Sequence, residues 1–215
     1  MVEPIGTNVE EGESIEDELR AAGVIRDGHF VLTSGRHSGV YVAKDLITVD
    51  PLLVASIGDE LGDSILGDDS SLTSVNMIVA PVFGAVVIGS RAALQIVGGG
   101  FTCQFVYAEK DPHGGFVLRR GFDKLVKDKR VGIVEDILTT GQSVASVVKE
   151  VRRCGGEVVM VVCIWNRGNV QPKDVGGVPI LSLVTKQIAS WAATECPLCR
   201  DKVPVNTDFG HGASS

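Results

Sequence analysis

Apolar and polar positions along this chain change rhythm from segment to segment, and the change predicts the elements. Ser14, with Asp17 three residues on, opens a run over 15–22 that reads as a capped helix closed by Gly23. Residues 28–44, GHFVLTSGRHSGVYVAK, alternate apolar and polar side chains on both sides of Ser34-Gly35, which is the grammar of a hairpin. Asp50 before Pro51 offers an N-cap and an N1 proline for a helix running to about residue 66, and 70–74 is a polar loop. Strand, loop and helix then repeat: strand 75–80, helix 86–96, strand 101–108, strand 131–135, helix 143–153 closed by Gly155 and Gly156, strand 157–165. The repetition predicts βαβ units, hence an α/β fold with a mainly parallel central sheet flanked by helices, and ligands bound at the carboxyl ends of its strands. No internal repeat or second domain shows. Residues 14–207 read as one domain, and 1–13 and 208–215 read by composition as disordered tails.

Residues 109–130 interrupt the pattern. They hold Gly114 and Gly115 and seven Lys or Arg residues against four acidic ones, so they read as a functional loop, a disordered one, or a solvated hairpin with a charged face.

Composition narrows the class. At 44% hydrophobic and 22% charged, the 215 residues suit a compact globular domain. No aliphatic run approaches the roughly 20 residues of a membrane span. The acidic start lacks the chemistry of a signal or transit peptide, so the expected location is the cytoplasm. A net charge of −7 argues against a nucleic-acid-binding surface, so any polyanionic ligand needs a local site. Five cysteines without a secretion signal are expected to be reduced thiols. Cys196-Pro197-Leu198-Cys199 supplies two of the four ligands a structural zinc requires, and no second pair follows. His211 is near in sequence but sits in a Gly-Ser tail, so a packed pair of reduced thiols is expected there ahead of the other two readings, a bound zinc and a redox pair.

The sharpest chemistry lies in 131–143, VGIVEDILTTGQS. An apolar strand delivers Glu135 and Asp136, and a hydroxyl-rich turn, Thr139-Thr140-Gly141-Gln142-Ser143, then opens a helix. Free amides and the positive end of the helix dipole converge there, and hydroxyls add donors, so a phosphate monoester is well held. The carboxylates would repel that phosphate and must face something else; ribose hydroxyls and a magnesium ion both suit them. Read by residue type alone, the same stretch also fits a plain strand-to-helix turn whose acids cap it or pair with surface lysines. The chain has no G-x-S-x-G elbow, no G-K-[ST] phosphate loop and no H-E-x-x-H helix.

The run VEDILTTGQS resembles the phosphoribosyl pyrophosphate signature of the type I phosphoribosyltransferases. GHFVLTSGRHSGVYVAK is similar to the stretch that covers the nucleobase in the orotate-using members, and 80–87, APVFGAVV, to the family's pyrophosphate loop. The likeness runs over about 19–204, and CPLC looks like the C-terminal end of one branch. It implies the type I fold with an N-terminal hood and a mobile loop, and transfer of phosphoribosyl from phosphoribosyl pyrophosphate to orotate, with Mg2+ carried by the substrate. By the same likeness Glu135 and Asp136 hold the ribose hydroxyls, with Asp136 also catalytic; Thr139, Thr140, Gly141, Gln142 and Ser143 bind the 5-phosphate, and Ile137 and Leu138 belong to the same phosphoribosyl pyrophosphate site. Arg167, with Thr139 and Lys44, faces orotate, where a guanidinium suits a carboxylate.

The resemblance also implies a homodimer whose mobile loop, matched by 107–122, crosses the interface with Lys110 and His113 as its catalytic cations. The usual Arg-Lys-x-x-Lys-x-His spacing is absent, which leaves Lys110 as the stabiliser of departing pyrophosphate and Arg119 or Arg120 as substitutes. Gly84 and His37 stand where some relatives have lysines. A phosphoribosyltransferase for another base, or a regulator that senses phosphoribosyl pyrophosphate without turnover, are the other readings; no nucleic acid or membrane partner is expected.

Overall fold

The computed structural model describes residues 14–67 and 75–210; the readings made for 1–13, for 70–74 and for His211 within 211–215 lie outside them. The chain begins with α1 (Ile15–Ala21), where Asp17 N–H donates to Ser14 Oγ and Ser14 N–H to Asp17 Oδ2, the reciprocal cap its spacing predicts. The hairpin follows as β1 (Ile25–Val31) and β2 (His37–Val42). A 3-10 turn (Lys44–Val49) leads to α2 (Pro51–Leu66), capped by Asp50.

Next come β3 (Met77–Pro81), α3 (Val86–Gly98), β4 (Gln104–Lys110), β5 (Phe116–Val117) and α4 (Phe122–Leu125). The second half holds β6 (Arg130–Leu138), α5 (Gln142–Arg153), β7 (Glu157–Asn166), β8 (Ile180–Val184), β9 (Ser190–Trp191) and α6 (Pro197–Arg200). The central sheet runs β5-β4-β3-β6-β7-β8, with every pairing parallel except that of β5. A second, antiparallel sheet, β1-β2-β9, stands beside it as the hood.

Strand alternation sorts the core into two layers. Ile78 and Ala80, Val134, and Val162 and Ile164 face one way and meet Ile57, Leu61, Ile88, Ala92 and Ile96 of α2 and α3. Met77 and Val79, Ile133, and Val161 and Cys163 face the other way and meet Val144, Val147 and Val151 of α5. Covered on both faces, β3 is buried along its whole length, which is why its sequence, MIVAP, shows no polar alternation. Each such aliphatic side chain contributes about 1.5–3 kcal/mol of transfer free energy. Among the described residues no helix is long and apolar enough to cross a membrane.

The structure selects among the readings of one segment and moves two boundaries. Within 109–130, β5 folds back on β4, the Phe116 and Leu118 amides donate to Ser146 and Glu150 of α5, and Arg119 and Arg120 pair with Asp111 and Glu109. That is the charged hairpin, anchored by a helix distant in sequence. Strand β6 does not stop at Glu135, because β7 supplies backbone partners as far as Leu138. The tail does not loosen at 208: Phe209 lies 6.0 Å from the Tyr41 ring and under the Arg26 guanidinium, and both Asp208 and Phe209 amides donate to Asn206.

Candidate active site

Strand β6 ends in the chemistry. Its last residues and the turn into α5 line a cavity of about 270 Å³ that also receives residues 81–84, Lys110 and Phe116. Gly141 caps α5 at φ +75°, and a Cβ there would press on Val170, so the turn depends on glycine. The first amides of α5 have no intrahelical acceptors and sit beside Thr139, Thr140 and Ser143. A dianionic phosphate fits this end of the cavity.

Glu135 and Asp136 are 8% and 3% exposed, so both carboxyls lie where ionisation is costly. Asp136 accepts from Lys44 Nζ at 2.9 Å. Burial opposes the charge of Lys44, yet the attraction of Asp136 leaves its pKa above the usual lysine value. Glu135 lacks such a partner among the described residues. Burial, reinforced by the neighbouring Asp136 charge, pushes its carboxyl up to about 8. The Asp136 and Ile137 amides donate to Glu135 Oε1 and Asp136 Oδ1, and the remaining oxygen lone pairs of Glu135 suit the hydroxyls of a sugar diol or a hydrated cation.

A stability prediction follows. Because the folded Glu135 keeps a proton that the unfolded chain releases, stability should fall as pH rises from the ordinary glutamate range towards 8. In magnesium-free buffer, Glu135→Gln should remove this slope, raising Tm by several degrees at pH 8 and hardly at pH 4.5, as read by calorimetry. Parallel Tm profiles for the two proteins would show that Glu135 is not held protonated.

Gly84 of the loop after β3 lies directly on this pair: a Cβ would overlap Asp136 Oδ2 and reach within 3.7 Å of Lys44 Nζ. That close approach explains why a larger residue has no room here while Asp136 and Lys44 are paired.

A second cavity, of about 540 Å³, opens on the other side of Lys44, Ile137 and Thr139, which line both. The hood supplies Leu32–Ser34, Val40–Lys44, Ile188 and Ser190; β7 supplies Arg167 and Gly168 from its outgoing turn. Arg167 Nε donates to Thr139 Oγ1 at 3.0 Å. Burial lowers its pKa, and it has no ion-pair partner among the described residues. A desolvated guanidinium facing a cavity favours an anionic ligand.

Of the residues singled out in the sequence, 135–143, Lys44, Arg167 and Lys110 are brought to these two connected cavities. The Leu138 side chain is in the core, so only its backbone faces the site. His113 is not brought in: it stands exposed at the β4–β5 turn, its amide donating to Asp111. Lys110 reaches the smaller cavity from its own chain. Arg36 lies off the wall, bonded to Ser190 Oγ and O. Tyr41, Ile188, Ser190 and Phe116 are lining residues that sequence reading missed. Tyr41 carried a signal, as an aromatic in the hairpin; Ile188 and Ser190 carried none, because only the pairing of β9 with β2 brings them there.

Comparison with known proteins agrees with this geometry. The family model for the phosphoribosyl transferase domain matches residues 68–197. An orotate phosphoribosyltransferase of Caulobacter vibrioides is 33% identical, the match covering 90% of this chain and 93% of that protein. One from Caldanaerobacter subterraneus is also 33% identical, over 91% of this chain and 95% of its own. The solved structure of orotate phosphoribosyltransferase from Aeropyrum pernix superposes with a TM-score of 0.62 at 25% identity, covering 80% of this chain and 93% of that one. A hydroxyl-rich turn between a parallel strand and a helix, two acids before it and relatives along nearly the whole length have one explanation: the chain belongs to the phosphoribosyl transferase family, within the group of orotate phosphoribosyltransferases.

Proposed function

We propose that this enzyme transfers the phosphoribosyl group from phosphoribosyl pyrophosphate to N1 of orotate, giving orotidine 5-monophosphate and pyrophosphate. The observation that carries the choice of base is Arg167: half-buried, without an ion-pair partner among the described residues, and on the wall of the larger cavity. A purine has no carboxylate to give it.

In this reading the 5-phosphate sits in the turn 139–143, on the α5 amides and the Thr139, Thr140 and Ser143 hydroxyls. The ribose diol donates to Glu135 and Asp136, which offsets the poor solvation of those carboxyls. C1 of the sugar then lies where the two cavities meet, at Ile137, Thr139 and Lys44, with orotate in the larger one. Bond breaking to pyrophosphate leaves an oxocarbenium-like sugar, so no nucleophilic side chain is required. Catalysis rests on holding two substrates in line and on stabilising the charge that grows on pyrophosphate. Lys110 and the 81–84 loop line the end of the smaller cavity that pyrophosphate would occupy. Two oxygen-rich carboxyls beside an open polar cavity suit magnesium, which Glu135 and Asp136 would help hold and which would neutralise diphosphate charge. The hood over the larger cavity keeps water from the sugar cation.

The test is direct. With magnesium and phosphoribosyl pyrophosphate, the protein should consume orotate, followed by absorbance, and should leave adenine and hypoxanthine untouched. Purine consumption would reassign the base, and binding without turnover would make the protein a sensor.

A further inference from the structure

We infer that His29, His37, Cys196 and Cys199 form a structural zinc site that fastens the hood hairpin to the C-terminal segment. The CPLC pair is short of two ligands only along the sequence. Folding brings β1 and β2 to it, and one donor atom from each of the four side chains lies within 4.8 Å of the other three.

The spacings fit one tetrahedral ion. Zinc bonded to sulfur at about 2.3 Å and to nitrogen at about 2.0–2.1 Å holds S and N about 3.5 Å apart and N and N about 3.3 Å apart. His29 Nε2 is 3.6 Å from both Cys196 Sγ and Cys199 Sγ, and Cys199 Sγ is 3.4 Å from His37 Nδ1. The His29 Nε2 to His37 Nδ1 distance is 2.7 Å, so an ion would spread the two rings by about half an ångström.

The surroundings prepare the ligands. His29 Nδ1 lies 2.7 Å from the Val203 carbonyl, which can only accept, so Nδ1 carries the ring proton and Nε2 turns its lone pair to the cluster. The 29 amide plane is held as well, since Asn206 N–H donates to His29 O. His29 and Cys196 are buried, whereas Cys199 is exposed and leaves an entry path. Two thiolates would balance the charge of the ion. A polar quartet of this kind, at the end of a chain without disulfides, gains most from a metal.

The position gives the ion a task. The hairpin that carries His29 and His37 also supplies Leu32–Ser34 and Val40–Lys44 to the larger cavity. Four bonds at its outer end hold that wall to α6, whose nearest ligand is more than 150 residues away in the chain. None of this depends on which base the enzyme uses.

Full-length, untagged protein dialysed against metal-free buffer should retain about one zinc per chain by plasma mass spectrometry. After removal of zinc with a chelator and thiol protection, Tm should fall by several degrees, and added Co2+ should give the intense visible bands of a tetrahedral, thiolate-bound ion. Cys199→Ser and His37→Gln should lose the metal at least tenfold in occupancy, while Cys103→Ser keeps it. The cobalt spectrum needs no variant, so a misfolded mutant leaves the test intact. The inference is overturned if the native chain neither holds zinc nor takes up cobalt, if Cys199→Ser binds as much zinc as the native chain, or if a Cys196–Cys199 disulfide is found in freshly purified protein.

Discussion

Arg167→Ala is expected to raise KM for orotate roughly 10- to 150-fold while moving KM for phosphoribosyl pyrophosphate less than threefold, the range set by about 1.5–3 kcal/mol for a hydrogen-bonded charge. The guanidinium is pre-placed by Thr139 and already desolvated by its surroundings, so a carboxylate meets a cation that has lost much of its water. Arg167→Lys should recover little, because a point charge on a flexible stem cannot reproduce the planar fork. Steady-state kinetics with each substrate varied in turn decide the matter. Equal weakening of both substrates would mean that Arg167 shapes the shared wall at Thr139 and does not read the base.

Lys110→Ala should cut kcat by about 10²- to 10³-fold with small changes in either KM, since its charge matters most when pyrophosphate departs. The structure separates Lys110 from the other cations of its segment. Arg119 and Arg120 are paired with Asp111 and Glu109, whereas Lys110 lines the smaller cavity and has no ion-pair partner among the described residues. Arg120→Ala should therefore leave kcat within about threefold, because an exposed ion pair is worth only about 0–1 kcal/mol. Should Arg120→Ala prove the more damaging change, the hairpin must rearrange when substrates bind and Lys110 is not the cation that meets pyrophosphate.

Most of the smaller cavity was legible in the sequence because it is local. Strand β6, the acids, the turn and the start of α5 are consecutive, and each is specified by the chemistry of a few neighbouring residues: apolar pairing, a glycine at positive φ, hydroxyls beside free amides. Arg167 could be named only through family likeness, since one arginine after a strand looks like any surface residue. The hairpin was readable from its alternation and its role as a wall through family likeness, but the other residues of that wall were not. They come with β9, two residues long, whose pairing with β2 brings Ser190 beside Arg36. A strand that short carries no periodicity to read.

The 109–130 segment and the surroundings of the CPLC pair could not be settled from the sequence, for one shared reason. In each, the partners are far away in the chain: Ser146 and Glu150 of α5 hold the first, and His29 and His37 face the second. The amino-acid sequence alone determined the alternating α/β architecture and the hydroxyl-rich turn after Glu135 and Asp136, because these follow from side-chain periodicity and from contacts within a dozen residues. Only the tertiary structure decided that Lys110 and not Arg119 or Arg120 lines the smaller cavity, that Ile188 and Ser190 join the wall of the larger one, and that His29 and His37 stand beside the two cysteines. Those are pairings across long stretches of chain, and they depend on how the sheets and helices pack in three dimensions, which no local pattern encodes.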